Sequence, residues 1–179
     1  MKRIKPEQDL RDILLNVRLP GRYTGGEYGS IAGNSDNEYV MALCFPDLYE
    51  IGMSNQAVKI LYREFNTLKG ISCERVFAPD KDFEQELVKN DIPLYTLESG
   101  IPLYDLDLLG ITIGYELSAT TVLSILETGK ISIWNEERAE DAPLVIAGGP
   151  AITNPLPFAK FFDGVFIGEA EDTFSDILN

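Results

Sequence analysis

At 179 residues, 45% of them apolar and 25% charged, the chain has the composition of a soluble globular domain with one core. Fifteen Lys plus Arg against twenty-nine Asp plus Glu leave a net charge of −14, which argues against nucleic acid or an anionic membrane as the main partner. There is no histidine, so imidazole catalytic pairs, imidazole metal ligands and a histidine pH switch are all excluded. Two cysteines, Cys44 and Cys73, supply neither a disulfide framework nor a cluster site. No apolar run reaches the ~18 residues of a membrane span, and a cytoplasmic protein is expected.

Residues 1–37 form a weakly patterned N-terminal arm. A short helix is predicted from Pro6, with Leu10, Ile13 and Leu14 at helical spacing. The glycine- and tyrosine-bearing stretch Pro20–Ser30 reads as irregular, packed on the domain or on something else. Residues 38–179 then alternate regularly. Tyr39–Phe45 is an apolar run suited to a strand covered on both faces. After the loop at 46–53, Ser54 is the expected cap of a helix with Ala57, Ile60, Leu61, Phe65 and Leu68 on one stripe, ended by Gly70. Ile71–Ala78 reads as a second strand, and a helix from Asp80 or Asp82 buries Phe83, Leu87 and Val88.

Leu94–Leu97 is a candidate short edge strand, and 106–114 a longer one. Ser118 opens a helix with Val122, Leu123, Ile125 and Leu126, closed by Gly129. Ile131–Trp134 is a candidate short strand. Leu144–Ala147 runs into Gly148-Gly149-Pro150, after which Thr153 or Asn154 caps a helix at Pro155 with Phe158, Phe161 and Phe162 on its apolar face. Gly164–Gly168 is the last strand, and a final short helix starts near Glu171. The brevity of that helix points to a piece of a longer protein.

Five strand–helix units predict a doubly wound, mainly parallel five-stranded α/β sheet, flavodoxin-like or Rossmann-like, with an order such as 2-1-3-4-5. Val40, Ala42, Ile111, Ile113, Val145, Ile146, Val165 and Ile167 are expected to be largely buried. Ligands of such sheets bind outside the strands' carboxyl ends, here the loops 46–53, 78–80, 114–118, 148–154 and 168–171. Those loops carry Asp47, Glu50, Asp80, Glu116, Glu169 and Glu171 without a Lys or Arg, an unfavourable field for a free phosphate ester. The P-loop and dinucleotide glycine fingerprints are absent. Gly148-Gly149 admits two readings, a backbone that approaches a ligand or a tight turn for helix packing.

Asp47-Leu48-Tyr49-Glu50-Ile51-Gly52 resembles the D-x-H-x-x-G loop of cobalamin-binding domains, with Tyr49 in the place of the histidine. Gly148–Pro155 followed by Asp163–Glu171 is similar to the G-G-P…T…P and D…G-E-x-E run of cobalamin-binding radical SAM proteins. The resemblance implies a cofactor-holding N-terminal domain, with cobalamin at Asp47, Tyr49, Gly52, Tyr115, Ser118, Gly148, Gly149, Pro150, Thr153, Gly168 and Glu169. It also implies S-adenosylmethionine and a four-iron four-sulfur cluster in a downstream radical SAM domain of the same protein. No C-x-x-x-C-x-x-C occurs here, so this chain by itself is expected to be non-catalytic and cluster-free. Without histidine, cobalt would receive no imidazole. Two alternatives stay open: a degenerate interaction domain with no cofactor, and a flavin- or nucleotide-binding protein.

Overall fold

The computed structural model of the chain describes residues 3–31, 39–168 and 170. Two single-turn helices, α1 (Pro6–Asp9) and α2 (Arg11–Leu14), lead to a 3-10 turn at Pro20–Tyr23. There follow β1 (Tyr39–Phe45), α3 (Tyr49–Ser54), α4 (Gln56–Phe65), β2 (Ile71–Phe77), α5 (Lys81–Lys89), β3 (Leu108–Thr112), α6 (Ala119–Thr128), β4 (Leu144–Gly148) and β5 (Gly164–Val165). The five strands form one sheet, ordered β2-β1-β3-β4-β5, and every pairing is parallel. This is the doubly wound arrangement expected from the alternation of apolar runs and helical stripes.

Strand side chains alternate between faces, and each face has its own core. Ala42, Cys44, Leu109, Ile111, Val145 and Ala147 pack with Phe83 and Leu87 of α5, with Val122, Ile125 and Leu126 of α6, and with the N-terminal arm. Met41, Leu43, Cys73 and Leu108 meet Tyr62 and Phe65 of α4 on the other face. Helices therefore cover both faces. Leu10, Ile13, Leu14, Val17 and Tyr23 are buried in the first of these cores, so the arm packs on the sheet domain.

Local details differ from the sequence expectations for identifiable reasons. The segment 46–53, read as a loop, contains α3. Asn55 caps α4 by accepting a hydrogen bond from the Val58 N–H at 3.1 Å, while Ser54 turns its hydroxyl back to the Ile51 carbonyl. Ile60 and Val88 are exposed, because the buried lines of their helices are Val58–Tyr62–Phe65 and Phe83–Leu87.

Leu94–Leu97 is buried but does not enter the sheet. Pro93, Gly100 and Pro102 bend the chain into a hairpin closed by an isolated bridge between Tyr95 and Pro102. Ile131–Trp134 forms no strand either, since the Arg138 guanidinium takes up the Ser132 carbonyl at 3.0 Å. Pro155 and Pro157 break the expected helix into turns, with Phe158 N–H on the Pro155 carbonyl and Phe161 N–H on that of Phe158. Val165 and Ile167 are exposed because β5 is a two-residue edge strand. Ile146 is half-buried, and Val40 lies at the sheet's amino end. The final helix from Glu171 lies outside the described residues.

β2 is the opposite edge, and all seven of its residues are buried. The 94–103 hairpin covers it. Leu97 donates its N–H to the Arg75 carbonyl at 2.8 Å, and Ser99 donates both N–H and hydroxyl to the Glu74 carboxylate. Arg75 pairs with Glu98 at 2.6 Å, both side chains almost fully buried. The Arg75 guanidinium lies 4.2 Å from the Tyr62 ring centre and reaches Ser30 of the arm. Covering an edge in this way removes a template for unwanted strand pairing.

Arg22 fastens the arm at the other end of the sheet, bonding Glu50 of α3 at 2.8 Å and Asp80, the cap of α5, at 2.9 Å. Both carboxylates titrate below their ordinary values, Glu50 through Arg22, Asp80 through the Lys81 N–H and then Arg22. Depressed folded-state values add stability above pH ~4 that is lost as pH falls through them. Arg22→Ala is expected to cost on the order of 1 kcal/mol, the partners being part-exposed, and to speed tryptic cleavage at Arg18. Unchanged cleavage would show that the arm is held by its apolar contacts alone.

Candidate functional site

Strand order reverses between β1 and β3, and the crevice of a doubly wound sheet opens at such a point. A groove of about 480 Å³ lies there on the α4 face, within the range of small-molecule sites. One wall is α4, whose Ala57, Leu61 and Phe65 recur every four residues and so share a line along the helix. The floor is laid by the outward residues of the strands: Leu43 of β1, Gly110 and Thr112 of β3, Ile146 and Gly148 of β4. Phe166, Ile167, Gly168 and Ala170 form the far wall, and Gly149, Pro150 and Thr153 close the carboxyl end.

Two glycines make the floor deep. A Cβ added at Gly110 or at Gly148 meets nothing nearer than 3.8 Å, an ordinary van der Waals contact, so neither position requires glycine for packing. Register places them close together, Gly110 opposite Ile146 and Thr112 opposite Gly148. Gly149 is different. Its φ is +103°, and a Cβ there would lie 2.8 Å from the Ile113 carbonyl oxygen. This glycine lets the loop cross the end of β3, where Ala151 donates to that same carbonyl at 3.1 Å. Gly149→Ala is therefore expected to lose roughly 1–3 kcal/mol. Gly148→Ala should stay within about 1 kcal/mol, and thermal melts of the pair make the comparison.

Of the residues singled out from the sequence, Gly148, Gly149, Pro150, Thr153 and Gly168 line this groove together. Asp47, Tyr49, Gly52, Tyr115 and Ser118 do not. Asp47, two residues beyond β1, accepts the Leu48 N–H at 2.8 Å. Tyr49 stands edge-on to Phe77, and burial with the nearby Glu27 pushes its phenol well above the ordinary value. Gly52 packs directly beneath the Phe77 ring, where a side chain would collide. Ser118 is buried and donates to the Tyr115 carbonyl at 2.7 Å, while Tyr115 is half exposed. Glu169 lies outside the described residues.

Sequence reading missed Gly110, Thr112 and the α4 wall. Ala57, Leu61 and Phe65 had been recognised as an apolar stripe, but an apolar stripe ordinarily signals core. None of the described residues that line the groove is charged. The acidic loops at the carboxyl ends are also less exposed in charge than their composition implied, since Arg22 arrives from 28 and 58 residues away to pair with Glu50 and Asp80.

Cys44 and Cys73 lie in the cores on opposite faces, and burial raises both thiols well above the ordinary range. Among the described residues no three His, Cys, Asp or Glu side chains are grouped to hold a metal ion. Anaerobic reconstitution of this chain with iron and sulfide is expected to yield no stoichiometric four-iron cluster. No described helix is long and apolar enough to cross a membrane.

Residues 57–179 match the family model described as radical SAM proteins, N-terminal. That span begins on the α4 wall of the groove and includes its whole floor beyond β1. No curated protein matches the sequence.

Proposed function

The chain belongs to the family of radical SAM protein N-terminal domains, and from that membership we propose that residues 38–179 are a cofactor-holding module for cobalamin and residues 1–37 its N-terminal arm, of which residues 3–31 are described. The family implies a radical SAM domain in the same protein, carrying S-adenosylmethionine and an iron–sulfur cluster. The observation that supports cobalamin is the glycine-floored groove at the switch point, whose described lining residues are uncharged. Its volume and lining suit the nucleotide tail of a corrinoid, and the space above Gly110 and Gly148 is the space a Cβ would otherwise fill.

Gly148, Gly149, Pro150 and Thr153 would hold the tail at the carboxyl end, and Gly168 with Glu169 would border it. Asp47, Gly52, Tyr115 and Ser118, which do not line the groove, are not assigned a contact with the ligand in this reading. Tyr49 gives cobalt no ligand in this reading, because its ring is engaged with Phe77 and its phenol is strongly held in the neutral form. Cobalamin supplies the cobalt chemistry when bound; the chain's own residues orient it and exclude water from its tail.

The test is to incubate the chain with hydroxocobalamin, and separately with flavin mononucleotide, then desalt and record spectra. Retained corrin absorption is the expected result. Retained flavin alone would favour a flavin-binding protein, and neither would favour a scaffold kept for contacts with its partner domain.

A further inference from the structure

We draw no further inference here: the strongest candidate, the exposed apolar side chains Ile51, Tyr115, Leu117, Leu156 and Ile167 on the segments at the carboxyl end of the sheet, carries none because nothing in the structure shows what covers them.

Discussion

Gly148→Leu should abolish corrin retention, with a loss of at least about a hundredfold in affinity, roughly 2.7 kcal/mol, and an unchanged far-ultraviolet circular dichroism spectrum. The position suits the test because its backbone is not in the left-handed region, where Gly149 lies. A Cβ there has 3.8 Å of clearance. A leucine side chain therefore enters the groove floor without displacing the sheet, and occupies the volume a ligand would use. Gly110→Leu is the companion variant, with the same clearance on the adjacent strand. Gly149, the glycine the sequence alone would nominate, is a poorer choice, because leucine there collides with the Ile113 backbone and any loss of binding would be confounded by misfolding. Binding that survives in both Gly148→Leu and Gly110→Leu would place the ligand elsewhere.

Arg75→Met should lower stability by about 3–5 kcal/mol, because it leaves buried carboxylate charge without its cation. For a chain of this size the melting temperature would fall on the order of 10 °C. Arg75 and Glu98 have side chains only 6% and 2% exposed, and Glu74, beside Glu98, is 1% exposed. Burial raises the Glu98 pKa while the Arg75 charge and side chain pull it down, so in Arg75→Met only the residue-75 backbone N–H still opposes the upward influence. The sign of the pH dependence follows. A carboxyl whose folded value lies above its unfolded value stabilises most below the unfolded value, and loses that contribution as pH rises through the folded one. The deficit of Arg75→Met should accordingly be larger at pH 7.5 than at pH 5, measured by urea unfolding at both. A deficit independent of pH would mean that Glu98 is not ionised in the folded chain. Loss of the pair also uncovers the β2 edge, and aggregation on heating should begin earlier in the variant.

Most of the fold was legible in the sequence, for local reasons. Val40–Phe45 and Val145–Ala147 are continuous apolar runs, of the kind a strand buried on both faces carries. Phe83–Leu87 and Val122–Ile125–Leu126 show the spacing by which a helix buries one face. Even the strand order was within reach, since right-handed crossovers leave few arrangements for five successive units. Reading failed where side-chain hydrogen bonds or the folding of a segment on itself decided the outcome. Nothing local to Ile131–Trp134 reveals that Arg138 will occupy its carbonyls, and nothing in Leu94–Leu97 reveals that it will fold on itself over β2.

The candidate site divides in the same way. By itself the sequence determined that the chain lacks imidazole, that its carboxyl-end loops are acidic, and that Gly148-Gly149-Pro150 ends a buried strand. These are properties of residue type and order, and no folding alters them. Tertiary structure alone decided that Gly148 opens a groove while Gly149 serves the backbone, because adjacent glycines in one motif face different neighbours once β3 pairs with β4. It also decided that Gly110 and Leu61 belong beside them, and that Arg22 neutralises loops far along the chain. Periodicity reports which residues turn inward; only the register between strands and the packing of a helix across them set where inward-facing atoms are missing.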